Sequence, residues 1–193
     1  KDHVELFADE EKFSDDMKRE FAKNHVALRP YTEIENAVGK LSGRKKMLID
    51  PERLSYALYK LIPDETEMIE KENPEIIMKS VKNDIETEHI RRAHLKDAAA
   101  HTKFIYWLKE NIGKTEITER SASARLEEFR KEQDGYLGPS FEPISAYYEH
   151  GAIVHYSASK ESDARLEKGH FLLTDTGGHY KDGSTDITRT VAL

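Results

Sequence analysis

The chain has 193 residues, enough for one large or two small domains, with 37% apolar residues, 35% charged residues and a formal net charge of −7. The acidic balance argues against a protein that grips nucleic-acid phosphates, and the absence of any apolar run of about eighteen residues argues against a membrane-spanning helix. Without cysteine there are no disulfides, thiolate metal sites or cysteine nucleophiles, so a metal must be held by oxygen or imidazole; a cytoplasmic protein is expected.

In chain order, His3 to Phe7 predicts a strand, Ser14 to Lys23 a helix, His25 to Leu28 a strand and Glu33 to Leu41 a second helix. Lys46 to Ile49 predicts a third strand. Asp50-Pro51-Glu52 then reads as the opening of a third helix, since proline suits the first helical position. This alternation predicts an α/β layer over residues 1–72, and Asn73-Pro74 marks the expected domain boundary.

Residues 73–193 read as an α+β unit. Asn83 with Glu86 three residues later predicts a capping box at the head of a long helix, in which Ala98, Ile105, Leu108 and Ile112 recur at helical spacing before Gly113 stops it. Thr118 starts a second, antiparallel helix with Ala122, Leu126 and Phe129 on its apolar face and Gly135 beyond its end. From Ser140 the text turns to strands: Phe141 to Tyr148, Ala152 to Tyr156, His170 to Asp175 and Thr185 to Leu193.

The segment LLTDTGGHYKDGSTDITRTVAL, Leu172 to Leu193, sets Asp175 and Asp186 in apolar, β-branched sequence. Ionised carboxylates buried by strands cost several kcal/mol unless paired or bound to a cation, and no lysine or arginine is spaced to neutralise both, so a metal is the simplest partner. Asp182-Gly183 is a strong type I′ hairpin signal, and Asp182 reads as a turn residue rather than a ligand. A tight turn there with an unbroken ladder would face Asp175 with Thr190, about 13 Å along the strand from Asp186. Bulges at Gly177-Gly178 are therefore expected, sliding the two aspartates into diagonal contact. Thr188 and Thr190 are candidates to hydrogen-bond the carboxylates, and Arg189 to carry charge to a neighbouring acid.

The words GAIVHYSA (Gly151 to Ala158), LLTDTGG (Leu172 to Gly178) and DGSTDITRT (Asp182 to Thr190) resemble the creatinase, prolidase and aminopeptidase P metallopeptidases, closest to the Xaa-Pro aminopeptidase branch. The interval of 11 between Asp175 and Asp186 is that family's spacing for its first two metal ligands. The resemblance implies the C-terminal part of a creatinase-like α/β domain followed by the first half of a pita-bread catalytic domain. It implies that Asp175 chelates one metal and Asp186 bridges two, the ions being divalent and of the Mn²⁺ kind. His155 lies 20 residues before Asp175; alone, a histidine in an apolar strand is more often hydrogen-bonded core, but the resemblance assigns it to substrate binding and proton handling. His89, His94, His101, His150, His170 and His179 read as structural or exposed, and Tyr147, Tyr148 and Tyr156 as core or pocket wall.

The implied reaction is hydrolysis of the peptide bond preceding a proline at the second position of a peptide, and family members often form dimers. The family completes its site with a His and two Glu further downstream, whereas this chain starts without Met and ends at Leu193 in strand sequence. An internal piece, inactive by itself, is the expectation. Two alternatives stay open: a prolidase- or creatinase-type relative, and a pita-bread protein without catalysis that serves as a binding module.

Overall fold

A computed structural model describes residues 3–41 and 46–193, and the chain divides into two compact units, Lys1–Val81 and Lys82–Leu193. Asn73-Pro74 lies inside the first of them, as the N-cap and first residue of a helix.

In the first unit β1 (Val4–Ala8) pairs in parallel with β2 (Val26–Pro30) across the helix α1 (Asp15–Lys23), whose N-cap Ser14 accepts from the amide of Met17. Right-handed βαβ units give this parallel pairing, and the βα rhythm of the sequence anticipates it. The expected second helix is a 3₁₀ turn at Tyr31–Glu33 running into α2 (Ile34–Gly39). β3 (Lys46–Ile49) pairs in parallel with β4 (Glu67–Glu70), and α4 (Pro74–Ser80) follows; β4 and α4 had no counterpart in the sequence reading.

Asp50-Pro51-Glu52 is not a helix start. The Asp50 carboxylate accepts from the amides of Glu52 at 3.1 Å and Asn73 at 2.9 Å, which folds this segment into a turn tied to the head of α4. The helix expected there, α3 (Tyr56–Tyr59), waits for its own N-cap, Ser55.

The second unit is built on α5 (Asp84–Asn111) and α6 (Glu119–Lys131). Asn83 and Glu86 form the capping box at the head of α5, Thr118 caps α6, and Gly113 follows the end of α5 with φ of +76°. Local chemistry fixes these ends, so they fall where the sequence puts them. Phe104, Leu108, Ile117, Ala122, Leu126 and Phe129 pack with Leu172 and Val191 as one core.

The buried stripe of α5 is Ala93, Asp97, Ala100, His101, Phe104 and Leu108, whereas Ala98 is exposed. A search for apolar residues alone passes over Asp97 and His101, which hold two of the most enclosed positions on the helix.

Two antiparallel three-stranded sheets cover the helices. One has β7 (Phe171–Thr176) between β6 (Ile144–Tyr147) and β10 (Ile187–Ala192); the other has β8 (Gly178–Tyr180) between β5 (Tyr136–Pro139) and β9 (Gly183–Ser184). The strand expected over Ala152–Tyr156 is absent. Tyr148–Ala152 makes a 3₁₀ turn, and positive φ at Tyr148 (51°) and His155 (54°) breaks the extended run at both ends.

His101 carries a pH dependence. Its ring is 4% exposed, shares a hydrogen bond with the Thr174 hydroxyl at 3.3 Å and packs against Phe104; burial first, then the charge of Arg130, pushes its pKa down to about 4. The native ring is therefore neutral while unfolded chains take up a proton below about pH 6.5, so its contribution is complete above that pH and falls as pH drops toward 4. The expected loss is about 2 kcal/mol by about pH 5. Urea unfolding between about pH 7 and 5 should show a steeper acid limb for the parent chain than for His101→Gln.

Candidate metal centre

Asp175 stands near the end of β7, the middle strand of its sheet, with Ile144 of β6 on one side and Thr188 of β10 on the other. The pleat sends Leu172, Thr174 and Thr176 toward the helices, where all three are buried, and turns Phe171, Leu173 and Asp175 to the opposite face. Asp186 immediately precedes Ile187, the partner of Thr176, and so stands diagonal to Asp175 on that same outer face. Diagonal residues on one face lie roughly 7–8 Å apart, within reach of a shared cation.

The register that achieves this differs from the expected one. The hairpin closes with Tyr180 opposite Gly183, so its central residues are Lys181-Asp182 and Gly183 already belongs to β9. Neither Asp182 nor Gly183 has the positive φ of a type I′ turn. The turn sits one residue earlier, which slides the ladder by two. His179 opposite Ser184 and Thr176 opposite Ile187 keep one register through the Gly177-Gly178 interruption, so no bulge is absorbed there. Tertiary contacts select this turn. The Lys181 amide donates to the Gly135 carbonyl at 2.9 Å, and Asp182 pairs with Lys96 at 2.6 Å and Arg92 at 3.2 Å. The Lys96 hydrogen bond holds the Asp182 carboxyl below the usual carboxylate range.

The strands do not bury both acids. Asp175 is half-buried and Asp186 exposed, because their face of the sheet carries exposed Thr188 and Thr190 and is open among the described residues. Neither carboxylate has a hydrogen-bond or ion-pair partner among the described residues, and Arg189 donates to the Thr188 carbonyl instead of an acid. Two unpaired carboxylates on one face are hard oxygen donors suited to a hard divalent ion. His155 is an exposed turn residue, and among the described residues no group of three His, Cys, Asp or Glu gathers closely enough to hold a metal.

Behind the sheet lies a buried polar cluster that the sequence reading missed. Arg130 of α6, 2% exposed, donates from Nε to Asp97 Oδ1 at 2.7 Å and from Nη2 to the Thr176 hydroxyl at 2.8 Å. Asp97 of α5, fully buried, also accepts from the Thr185 hydroxyl, whose oxygen receives the Gly178 amide at 2.9 Å. A cavity of about 330 Å³ opens on this helix side of the sheet, against Arg130, Ser145 and Thr176, and not on the face of the aspartates. Charged residues at core positions of a helical repeat, Asp97 four after Ala93, were the signal that could have revealed the pair.

The segment bearing His155 hangs on Glu119, the fully buried first residue of α6. Its carboxylate accepts from the Tyr147 amide at 2.6 Å, the Tyr156 hydroxyl at 2.9 Å and the Ala164 amide at 3.1 Å, and it contacts His150 Nδ1 at 2.9 Å. In sequence Glu119 looks like an ordinary acid in a first helical turn, with nothing to mark its burial. Glu119→Gln replaces one acceptor oxygen by an amide donor facing other donors. A loss of about 2 kcal/mol is expected, against about 1 kcal/mol for Tyr156→Phe, both read by thermal unfolding.

Comparison with known proteins bears on this arrangement. The profile of Metallopeptidase family M24 matches residues 88–193, and that of the Creatinase/Prolidase N-terminal domain matches residues 1–86. Xaa-Pro aminopeptidase 2 of Sus scrofa is 37% identical over 97% of this chain, and Xaa-Pro aminopeptidase 1 of Dictyostelium discoideum is 36% identical over 97%. This chain spans 29% and 30% of their respective lengths. The crystal structure of X-prolyl aminopeptidase from Caenorhabditis elegans, described as a cytosolic enzyme with a di-nuclear active site, superposes with a TM-score of 0.87 at 31% identity. That match covers 98% of this chain and 32% of the other. The expected fold class holds: a creatinase-type α/β domain followed by the opening part of a pita-bread domain.

Proposed function

The chain belongs to metallopeptidase family M24, and from that premise we propose that it carries the aspartate half of a two-metal peptidase centre that removes the N-terminal residue from peptides with proline in second position. The carrying observation is the register that sets Asp175 and Asp186 diagonally on one open face, with no cation among the described residues to neutralise them. Asp175 would chelate one ion and Asp186 bridge the pair, and hard carboxylate donors favour ions of the Mn²⁺ kind. Bound there, divalent ions supply Lewis acidity and an activated water.

His155 binds the substrate near the scissile bond and handles its protons, while Glu119 fixes both flanks of its segment through Tyr147 and Tyr156. Its left-handed backbone, φ 54°, gives the side chain a fixed departure from the turn. The relatives' names and the cytosolic neighbour support an Xaa-Pro specificity and a cytosolic setting, and a homodimer is the assembly proposed.

The test is metal binding by the 193-residue chain, followed residue by residue through paramagnetic broadening of NMR signals. Millimolar Mn²⁺ is expected to broaden Asp175 and Asp186 first, and Asp175→Asn should remove the effect at both positions. Two carboxylates are fewer donors than such ions take, so weak affinity and no measurable cleavage of an Xaa-Pro peptide are expected from this chain by itself. Brisk cleavage would overturn the ligand count, and broadening centred elsewhere would favour a binding module without catalysis.

A further inference from the structure

The buried cluster on the helix side touches the residue next to each aspartate. Thr176, bonded by Arg130 at 2.8 Å, follows Asp175; Thr185, bonded to Asp97, precedes Asp186. His101 holds Thr174, on the other side of Asp175, at 3.3 Å. Side chains alternate across a strand, so each hydroxyl gripped from behind fixes the backbone from which a carboxylate leaves on the outer face.

We propose that the Asp97–Arg130 pair is a positioning element for the cation cradle: through Thr176 and Thr185 it sets the separation and aim of Asp175 and Asp186 from the far side of the sheet. The inference rests on the reading of those two aspartates as metal ligands.

Three features favour a geometric role. A buried ion pair contributes little net stability compared with apolar residues of similar volume, so its presence between α5 and α6 calls for another reason. The guanidinium is planar and rigid, and it meets both Asp97 oxygens, at 2.7 and 3.3 Å, while reaching Thr176 with the same Nη2. Asp97 in turn receives Thr185 on Oδ2, the oxygen bonded by Nη2, so the two threonines are linked through one rigid unit that spans α5 and α6. Movement of either ligand strand relative to the other must break one of these bonds.

The experiment replaces the two hydroxyls and leaves the ion pair intact. Mn²⁺ titrations of the 193-residue chain, read by paramagnetic broadening, are compared for the parent, Thr176→Val/Thr185→Val, Thr176→Ser/Thr185→Ser, and Ile117→Val as a destabilised core control. The Val pair is expected to raise the Mn²⁺ dissociation constant on the order of tenfold, with the Ser pair and Ile117→Val close to the parent. Thr176→Val alone removes a single hydrogen bond and carries the same test if the double variant does not fold. An unchanged dissociation constant in a folded Val variant, or an equal loss in Ile117→Val, overturns the positioning role and leaves the metal reading standing. Unchanged binding in Asp175→Asn overturns the metal reading itself, and the positioning role with it.

Discussion

Arg130→Ala is expected to cost the second unit about 3–5 kcal/mol at neutral pH, the largest single loss outside the apolar core. Asp97 has no exposed surface, and without the guanidinium the Thr185 hydroxyl is its one remaining hydrogen-bond partner among the described residues. Truncation also opens a void between α5 and α6, since Arg130 is among the largest fully buried side chains of the unit. Urea unfolding at about pH 7 reads the loss. Asp97→Leu/Arg130→Met, which removes both charges and refills much of the volume, should recover most of the lost stability while losing the link to Thr176 and Thr185. A loss below about 1 kcal/mol in Arg130→Ala would mean that the pair is solvated in solution, since exposed pairs contribute no more than that.

The division between what sequence reveals and what it hides follows the range of the forces involved. Ser14, Asn83 and Thr118 were legible as helix starts because each satisfies an amide three residues on, with no distant help. The βα alternation likewise foretold an α/β layer, and the parallel pairing of β1 with β2 forms part of it. Strand β5 had no counterpart in the sequence because Gly138 and Pro139 are poor strand formers; Gly138 has a φ of +151°, and the register with β8 shifts beside it. The hairpin turn was misplaced because Asp182-Gly183 is locally persuasive, whereas contacts from Gly135 and Lys96, remote in sequence, decide the outcome.

The common face of the two aspartates survived that error for a reason of parity. Moving a turn by one residue changes the register by two, and a shift of two returns every side chain to its own side of the sheet. Burial was the weaker inference. Apolar neighbours along a strand speak for the face they occupy, and Asp175 alternates with Thr174 and Thr176 onto the other one. Asp97, Glu119 and Arg130 escaped because charged residues are normally exposed, and only the assembled core shows them paired.

Gly177→Ala should separate the two ligand strands. A Cβ built on Gly177 would lie 2.0 Å from the Thr185 carbonyl oxygen and 2.3 Å from Ser140 Oγ, distances that real atoms do not tolerate. Ser140 cannot yield alone, since its hydroxyl donates to the Thr185 carbonyl at 2.8 Å and its amide to the Gly177 carbonyl at 3.1 Å. The backbone at Thr185 must therefore retreat, taking Asp186 with it and straining the bond between Thr185 and Asp97. A loss of about 3 kcal/mol is expected, at the upper end for overpacking, together with loss of Mn²⁺ broadening at Asp186. Gly178→Ala is the internal comparison. Its Cβ would meet the Tyr136 ring at 2.9 Å and the Tyr180 ring at 3.0 Å, and side-chain rings give way at lower cost than a paired backbone. About 1–2 kcal/mol with metal binding retained is expected there. Urea unfolding and the Mn²⁺ titration applied to both variants decide the matter: a Gly178→Ala chain that loses metal binding while Gly177→Ala keeps it would remove the close approach of Gly177 and Thr185 as the feature that holds the aspartates together.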